Sequence, residues 1–338
     1  MKKFVLAVVS AFISIFLFAS CSSTIITVEK TYFFFDTVIT AKLYDAEQTR
    51  IDTVFEQCFN ELERIENVFS VTNAESELSK LNASASEAPV KVSDELFYVV
   101  STALYYCELS DGALDISVGK LVDLWGIGTE AQRIPAEGEI KELLGVSYKS
   151  IVADETNKTI FYSDDRVKID LGAVAKGYAG DRILQILAQN NIYGAVFSLG
   201  GNIVTYGHKP DGSGFTIGIA DPKENEQLSA TIVTNDCAVV TSGDYQRYFI
   251  ENGITYHHIL DSKTGFPSDT DISGVTVICR SSIQADCLST AVFVLGREKG
   301  LELIENIQNV EAVAIEKGGS IFASSGIEAY TFESMGGD

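Results

Sequence analysis

The sequence predicts an α/β protein of the α+β type, with a mixed, largely antiparallel sheet and helices packed against it. Amphipathic runs of helical period occur together with short runs rich in β-branched and aromatic residues. In the second half, the β-like runs follow one another across short turns, which is more typical of antiparallel hairpins than of a doubly wound parallel sheet. No low-complexity linker, internal repeat or long charge block divides the body of the chain.

The predicted elements follow in chain order from these patterns. A strand is predicted over 32–44, where aromatic and β-branched residues are frequent. A helix is predicted over 48–69, because apolar residues recur every three or four positions, and a second over 94–109 with Ser93 as its N-cap. Two short strands are expected within 151–170. The remaining predicted elements are a helix over 178–190, strands over 193–206, 215–220, 228–235, 237–241, 246–250, 254–260 and 273–279, helices over 283–296 and 298–308, and strands over 311–316, 320–323 and 328–332.

The N-terminal residues have the pattern of a secretion signal. Two lysines precede the apolar run FVLAVVSAFISIFLF, which is too short and wrongly flanked for a stable transmembrane helix. The sequence F-A-S-C then ends the run, as in a bacterial lipobox; the alternative is an ordinary signal with cleavage elsewhere. We therefore expect residues 1–20 to be removed, Cys21 to be lipidated, and residues 21–30 to tether an extracytoplasmic body to the cell membrane.

Composition excludes several classes of function. The formal net charge of −22 disfavours nucleic-acid binding, which needs a basic footprint. None of the cysteines is in a C-x-x-C pair, so a zinc ribbon and a thioredoxin-like site are excluded, and no disulfide framework is expected. An acidic chain that binds phosphates needs a local positive feature, such as a bound cation or a helix N-terminus.

A glycine-containing loop occurs in VKIDLGAVAKGYAGDRILQIL, residues 167–187. The run predicts a strand, a small-residue turn and a helix. It lacks the Gly-Lys-Ser/Thr of a P-loop and the glycine spacing of a Rossmann turn, so, taken alone, it is better explained as a tight turn that closes an α/β unit. Two further strand ends, at 197–207 and 239–249, also carry glycines, which permit close backbone approach to a ligand. Together the three loops suggest a phosphate site.

The segment SSIQADCLSTAVFVLG, residues 281–296, predicts a buried helix with two oxygen-bearing side chains on one face. Asp286 and Thr290 are four residues apart, which places them on the same side. A carboxylate with a hydroxyl suits Mg²⁺. The alternative, which this stretch alone favours, is that Asp286 binds first-turn N–H groups and Thr290 a backbone carbonyl.

Two of the three histidines are adjacent in TYHHILDSKTGFPSD, residues 255–269. Strand alternation places Tyr256 and His258 on one face and His257 on the other. One of the two histidines could be a general base, because imidazole titrates near neutral pH. A zinc site is disfavoured, since adjacent histidines on a strand point apart. The alternative is a hydrogen-bonded histidine at a strand end.

Seven motifs occur in order along most of the chain, and together they resemble those of the ApbE family of FAD:protein FMN transferases. They are SVTNAESELSKLN (70–82), GALDISVGKLVDLWG (112–126), KIDLGAVAKGYAGD (168–181), SLGGNI (198–203), TSGDYQRYF (241–249), HILDSKTGFP (258–267) and ADCLSTAVFVLG (285–296). Each motif alone is weak, but seven in this order are highly specific. The resemblance covers about residues 31–333, which leaves 334–338 as a tail, and implies a T-fold-like body.

The resemblance also implies the site residues. It gives Asp286, Thr290 and the backbone carbonyl of Ala173 as Mg²⁺ ligands, and His258 as the catalytic base, with Asp244 or Asp261 nearby. Ser289 occupies a position that is acidic in some members. The implied flavin-nucleotide contacts are Phe35, Ser70, Val71, Thr72, Asp115, Asp170 and Lys176, with Ile259 or Leu260 lining the same cleft. The chain departs from the family at Phe35-Asp36-Thr37, where many members have Met-Gly-Thr.

The implied reaction is the Mg²⁺-dependent transfer of FMN from FAD to a Thr hydroxyl of an acceptor protein, with release of AMP. The implied acceptor is an extracytoplasmic redox subunit. Two alternatives remain at this point. With water as the nucleophile, the same site would be a FAD pyrophosphatase that yields FMN and AMP, and without catalysis the chain would be a FAD-binding lipoprotein.

Overall fold

The structure is a computed structural model that describes residues 24–224 and 227–335. The predicted signal and the lipidation residue Cys21 lie outside the described residues. The helices are α1 Gln48–Phe69, α2 Glu77–Ser84, α3 Asp94–Leu109, α4 Gly119–Trp125, α5 Glu137–Leu143, α6 Ala175–Gln189, α7 Ser282–Leu295 and α8 Arg297–Glu305. The strands are β1 Ile26–Phe34, β2 Thr37–Asp45, β3 Val90–Lys91, β4 Ile151–Asp154, β5 Thr159–Tyr162, β6 Gly194–Leu199, β7 Asn202–Gly207, β8 Phe215–Ala220, β9 Leu228–Thr234, β10 Ala238–Gly243, β11 Tyr248–Glu251, β12 Ile254–His257, β13 Ile272–Cys279, β14 Glu311–Glu316, β15 Ile321–Ala323 and β16 Glu333–Ser334.

An eight-stranded sheet in the order β1-β2-β6-β7-β10-β13-β14-β15 forms the centre of the fold. Neighbouring strands of this sheet pair antiparallel, so the predicted largely antiparallel α/β fold is confirmed. Three small sheets accompany it: the ribbon β11-β12, and the three-stranded sheets β16-β9-β8 and β3-β5-β4.

Alternation along the strands gives the central sheet two apolar faces. On one face, Val240 and Val277 belong to the main core, which they form with α1, α3, α6 and α7. On the other, Val239, Ile278 and Val313 pack with residues of β8 and β9 in a second, smaller core. The central strands are therefore covered on both sides, which explains why they read as continuous apolar runs.

The first predicted strand, 32–44, is wrong in its extent. The structure places a hairpin there, with a turn at Phe35 and Asp36, whose φ angles are +54° and +53°. The strand also begins earlier, at Ile26, inside the segment 21–30 that we expected to be a tether. The physical reason is strand pairing: β1 pairs antiparallel with β2 along its whole length, from Ile26 opposite Asp45 to Phe34 opposite Thr37.

Most of the other predicted elements were confirmed or shifted at their ends. The predicted strand 193–206 is wrong in its extent, because Gly200 and Gly201 make a turn that folds it into the antiparallel hairpin of β6 and β7. Helices α1 and α3 have the predicted bounds, and the Ser93 side chain caps α3 by accepting the Leu96 N–H. Helices α2 and α5 were missed, because each is short. The run 167–171 is not a strand; it makes only an isolated bridge, from Lys168 to Val118. The predicted strand 328–332 is wrong, since a short 3₁₀ helix occupies 327–330.

The five cysteines of the described residues are all buried and unpaired. The described helices include none that is long and apolar enough to cross a membrane.

Candidate active site

The candidate site begins where α6 and α7 touch. Gly177, in the first turn of α6, permits the contact, because a Cβ there would lie 2.5 Å from the Ser282 carbonyl oxygen and 2.6 Å from Asp286 Cβ. The Gly177 N–H donates to Asp286 Oδ2 at 2.7 Å. Asp286 is only 3% exposed. The helix contact therefore places a buried carboxylate beside the start of α6.

Three oxygen donors near this contact fit a Mg²⁺ ion. In a regular helix the Gly177 N–H would pair with the Ala173 carbonyl. Because Asp286 takes this N–H, the Ala173 carbonyl accepts no hydrogen bond from the described residues. One turn along α7, Thr290 Oγ1 makes only a long contact of 3.4 Å within the described chain, to Ser242 Oγ. A carboxylate, a carbonyl and a hydroxyl suit Mg²⁺, which completes its shell with water and phosphate oxygens.

Ser289, beside these donors on α7, has its hydroxyl already engaged. It is fully buried, contacts Ser242 Oγ at 2.8 Å and donates to the Asp286 carbonyl at 3.0 Å. The described residues contain no cluster of three or more His, Cys, Asp or Glu side chains that could hold a metal. The donors near Gly177 are instead one carboxylate, one backbone carbonyl and one hydroxyl group, all of them oxygen atoms.

The segment before α6 is held in place by Asn82 of α2. Its Oδ1 accepts the Ile169 N–H at 2.8 Å, and its Nδ2 donates to the Ile169 carbonyl at 2.9 Å. The next residue, Asp170, donates its N–H to the Ile116 carbonyl at 2.9 Å. Its carboxylate accepts the Gly172 N–H at 2.8 Å, and burial raises its pKa. The predicted contact Asp170 therefore lies beside the loop that carries Asp115.

Asp115 has one carboxylate oxygen without a partner. Its Oδ1 accepts the Ser117 N–H at 2.9 Å and the Ser117 hydroxyl at 2.6 Å. Its Oδ2 is buried and has no partner within the part of the chain that the structure describes. Burial raises the pKa of this carboxyl group. Since an unsatisfied buried acceptor costs about 1–3 kcal/mol, a hydroxyl or amino donor of a bound ligand would stabilise this site.

The predicted contacts Ser70, Val71 and Thr72 directly follow α1. The last residue of that helix, Phe69, packs edge-on against Tyr178 of α6, with ring centroids 5.6 Å apart. This contact brings the segment to the N-terminal half of α6. Ser70 Oγ accepts the Thr72 N–H at 3.3 Å, and the two hydroxyls lie 3.1 Å apart. The turn therefore carries two neighbouring hydroxyl groups directly after a residue that packs on α6.

The two adjacent histidines have different surroundings. His257 is buried; its Nε2 donates to the Ser268 carbonyl at 3.0 Å and its Nδ1 accepts the Ile259 N–H at 3.3 Å, so both ring nitrogens are used. The His258 ring makes one hydrogen bond to the described residues, from Nδ1 to the Arg247 carbonyl at 3.3 Å. A carbonyl only accepts, so Nδ1 carries the proton and Nε2 keeps a free lone pair. His258 is therefore the candidate base, and His257 is structural.

Positive charge surrounds His258. Burial, and after it the charge of Lys176, lowers the pKa of His258 to about 4, so the ring is neutral at pH 7. Lys176 is adjacent in sequence to Gly177, which contacts Asp286, so the base and the carboxylate belong to one site. Asp261 does not bond the ring; its carboxylate accepts the Lys263 N–H at 2.9 Å within the turn after β12.

The other expected partner of the base, Asp244, is half-buried, and burial raises its pKa. Its N–H donates to the Ser273 carbonyl at 3.1 Å, and its carboxylate makes no hydrogen bond to His258 in the structure. The His258 ring is instead oriented by the backbone of Arg247. Of the two residues expected to line the cleft, Ile259 is 6% exposed and packs in the main core, whereas Leu260 is half-buried and accessible.

Phe35 lies in the β1–β2 turn, which Arg247 links to the His258 segment. Its N–H donates to Glu66 Oε1 at 2.6 Å. The Phe35 and Asp36 carbonyls both accept from Arg247 Nη2, at 3.2 and 3.1 Å. The turn that departs from the usual Met-Gly-Thr is therefore held by an acid on one side and a guanidinium on the other.

Sequence reasoning missed three residues of this site. Asn82 ends the first motif and Arg247 lies inside T-S-G-D-Y-Q-R-Y-F, so their motifs were recognised but no role was assigned to them. Ser242, in the same motif as Arg247, links β10 to the hydroxyl groups of α7. Each acts through a contact more than 45 residues distant in sequence, which local pattern alone does not predict.

Comparisons with known proteins show the family of the chain. A family model described as "ApbE family" matches residues 35–314. The FAD:protein FMN transferase of Treponema pallidum (strain Nichols) is 36% identical over 292 residues, which are 82% of this chain and 81% of that protein. The crystal structure of the ApbE protein of Thermotoga maritima superposes with a TM-score of 0.83 at 32% identity, covering 90% of this chain and 99% of that one. The flavin transferase ApbE of Vibrio cholerae gives 0.80 at 28% identity, covering 90% and 99%.

Proposed function

The chain belongs to the ApbE family, and we propose that it transfers FMN from FAD to a Thr hydroxyl of an acceptor protein in a Mg²⁺-dependent reaction that releases AMP. Its relatives are named FAD:protein FMN transferases, so the enzyme class is that of a transferase with FAD as the donor substrate. The observation that carries the finer proposal is the contact at Gly177, where Asp286 takes the N–H that would otherwise engage Ala173.

Asp286, Thr290 and the Ala173 carbonyl would hold Mg²⁺ at the pyrophosphate of FAD. Bound there, the ion would supply positive charge to the phosphate oxygens and polarise the phosphoryl group. Lys176 adds a second positive charge at the same helix start. This local positive charge would allow a chain with a formal net charge of −22 to bind the negatively charged phosphates of FAD.

In the transfer step, the acceptor Thr hydroxyl attacks the phosphorus of the FMN half. A Thr oxygen–phosphorus bond forms, the phosphorus–oxygen bond of the pyrophosphate breaks, and AMP leaves with the bridging oxygen. Nε2 of His258 accepts the hydroxyl proton. Phosphoryl transfer depends chiefly on positioning and charge stabilisation, so no covalent enzyme intermediate is required.

Asp115 and Asp170 would bind polar groups of the nucleotide. The unpartnered Oδ2 of Asp115 is the best candidate for a hydrogen bond from a ribose or ribityl hydroxyl or an amino group. Ser70, Val71, Thr72, Phe35 and Leu260 would line the remainder of the cleft, whereas the Ile259 side chain is buried in the main core.

The experiment follows AMP release and acceptor mass in the presence of FAD and Mg²⁺. An acceptor that gains one FMN, with AMP release that depends on the acceptor, supports the transferase. Equal AMP release without acceptor supports the pyrophosphatase instead, and retention of FAD with no AMP in either reaction supports a non-catalytic binding protein.

Two variants with one matched control test the metal site within the same assay. Asp286→Asn should raise the Mg²⁺ concentration for half-maximal activity at least ~10-fold, because it removes the only charged ligand proposed. The control is Asp181→Asn, which changes a nearby aspartate that binds the start of α7 and no proposed metal ligand; its Mg²⁺ dependence should be unchanged. His258→Gln should slow transfer by ~10²–10⁴-fold with little change in FAD affinity.

The proposal places the enzyme outside the cytoplasm, bound to the cell membrane through lipidated Cys21. It rests on the lysines, the apolar run and the F-A-S-C sequence of the N-terminal residues. The acceptor would then be a redox subunit exposed on the same side. Cys21→Ser should move the protein from the membrane fraction to the soluble fraction, and continued membrane retention would refute the anchor.

A further inference from the structure

Arg247 connects the β1–β2 turn to the segment that carries His258. Its guanidinium Nη2 donates to the carbonyls of Phe35 and Asp36, at 3.2 and 3.1 Å. Its own backbone carbonyl accepts from the His258 N–H at 3.1 Å and from the His258 ring Nδ1 at 3.3 Å. One residue therefore contacts the β1–β2 turn with its side chain and the proposed base with its main chain.

The turn that Arg247 binds has an unfavourable backbone conformation. Phe35 and Asp36 have φ angles of +54° and +53°, in the left-handed region that favours glycine. Such a conformation persists only where surrounding contacts hold it. Here the contacts are the antiparallel pairing of Phe34 with Thr37, the bond from the Phe35 N–H to Glu66 and the two bonds from Arg247. The turn and the Arg247 side chain therefore fix each other.

We propose that Arg247 is a positioning residue: by binding the Phe35–Asp36 turn, it holds its own carbonyl against Nδ1 of His258 and keeps Nε2 free to accept a proton. The inference rests on the proposed transfer reaction, in which His258 is the base. Without the bonds from the Arg247 side chain, the backbone before Tyr248, where β11 begins, would be free to shift. The Arg247 carbonyl would then no longer select one tautomer of the His258 ring.

The neutral imidazole has two tautomers, and only the one with the proton on Nδ1 has a lone pair on Nε2. The Arg247 carbonyl is the only group of the described residues that hydrogen-bonds the His258 ring. The tautomer is therefore set by this one contact. The low pKa of His258 means that the tautomer can be observed near pH 7 without interference from the protonated ring.

The test uses the full chain and three variants. Arg247→Gln removes the charge and the bonding to both carbonyls, whereas Arg247→Lys keeps the charge and can reach one carbonyl. The control is Arg280→Gln, which makes the same charge change at an exposed arginine beside the groove formed by Tyr193 and Asp236. Arg247 is itself exposed, so its variants are expected to fold.

The first measurement is the tautomer of His258, from long-range ¹H–¹⁵N spectra of the imidazoles. The chain has three histidines, so the spectrum is simple, and the His258 signal is assigned by its loss in His258→Gln. We expect the Nδ1–H tautomer in the wild type and in Arg280→Gln, and a mixture of tautomers in Arg247→Gln. An unchanged tautomer in Arg247→Gln overturns the proposal, even if activity falls.

The second measurement is FMN transfer at saturating FAD. Arg247→Gln should lower kcat by ~10–100-fold, since a well-positioned base contributes ~10²–10⁴-fold and only part of this is lost. Arg247→Lys should recover part of the rate. A rise in KM for FAD with unchanged kcat would instead make Arg247 a substrate-binding residue and overturn the proposal.

The two measurements separate failure of this inference from failure of the proposed function. The tautomer is observed without FAD, Mg²⁺ or acceptor, so it tests the contact whatever the reaction is. If the wild type releases AMP without an acceptor, or transfers no FMN to any acceptor, the transferase is refuted. The spectrum of Arg247→Gln still decides whether Arg247 sets the tautomer of the His258 ring.

Discussion

Replacement of Gly177 by Ala tests the contact between α6 and α7 on which the proposed metal site depends. The added Cβ would lie 2.5 Å from the Ser282 carbonyl oxygen, 2.6 Å from Asp286 Cβ and 2.7 Å from Ile283 Cα. Since non-bonded carbon atoms prefer about 3.5–4.0 Å, the helices must separate by ~1 Å. The backbone of both helices is involved, so rotation of a side chain cannot relieve the clash.

The magnitude follows from three contributions. Overpacking of this kind destabilises the fold by about 1–3 kcal/mol. Complete loss of the 2.7 Å hydrogen bond from Gly177 to the Asp286 carboxylate would destabilise it by about 1.5–3 kcal/mol, and weakening of the bond by less. Alanine in a helix recovers about 0.5–1 kcal/mol relative to glycine. We expect the free energy of unfolding to fall by about 2–4 kcal/mol. Because Asp286 moves away from Ala173, the half-saturating Mg²⁺ concentration should rise ~10-fold or more.

Urea unfolding followed by tryptophan fluorescence measures the stability, since the single tryptophan, Trp125, is fully buried. A Mg²⁺ titration of AMP release measures the metal site. The matched control is Gly138→Ala in α5, where a Cβ would meet no atom within 4 Å; it should leave both quantities unchanged or raise stability by up to about 1 kcal/mol. Neutral substitutions change the free energy of unfolding by less than ~0.5 kcal/mol. If that of Gly177→Ala lies within this range of the wild type and the Mg²⁺ dependence is unchanged, the proposed role of the helix contact is refuted.

Four further predictions concern other parts of the molecule. The acid limb of kcat/KM should lie near pH 4, not 6.5, because His258 must be neutral to accept a proton and its pKa in the free enzyme is about 4. The acid limb of kcat should lie at higher pH, since the phosphates of bound FAD favour the protonated ring. A pH–rate series that puts both limbs near 6.5 would contradict this prediction. Asp181→Asn should lower the free energy of unfolding, measured by urea denaturation, by about 1–2 kcal/mol, because the carboxylate accepts two N–H groups at the start of α7. A change below about 0.5 kcal/mol, the usual range of neutral surface changes, would show that Asp181 does not stabilise this helix end. Asn82→Ala should raise KM for FAD, as it releases the loop that carries the nucleotide contacts, and an unchanged KM would show that the loop is held otherwise. Native protein should not react with a thiol reagent at the described cysteines, since burial raises the pKa of both Cys58 and Cys279 to about 12, whereas urea should expose them; rapid labelling of the native form would show that the core opens.

Local sequence patterns predicted the longer elements well. Helix α1 has the predicted bounds because its apolar residues repeat at helical spacing over 22 residues, and α3 begins where Ser93 can cap it. The predicted strands 215–220 and 311–316 also match the structure, since β-branched runs between turn residues leave few alternatives. These predictions depend on neighbours within a few positions, and sequence contains that information.

Predictions failed where distant contacts decide the conformation. The run 32–44 alternates as a single strand would, but the turn at Phe35 and Asp36 is held by Glu66 and Arg247, the latter 212 residues away for its bond to Phe35. The run 167–171 has strand composition, but Asn82 and the 115–118 loop engage its backbone instead of a sheet. Neither partner is visible in the local pattern.

The sequence by itself determined the fold class, the family and the residues in which the chemistry is proposed to lie. Periodicity encodes which faces are buried, and seven ordered motifs preserve residues whose types suit a flavin nucleotide and a divalent cation. Only the tertiary structure decided the pairing within that set. It assigned His258 and not His257 a free ring nitrogen, released the Ala173 carbonyl through the bond between Gly177 and Asp286, and joined the β1–β2 turn to the His258 segment through Arg247. The physical reason is that hydrogen bonds depend on positions within a few tenths of an ångström, and packing across the whole chain sets those positions.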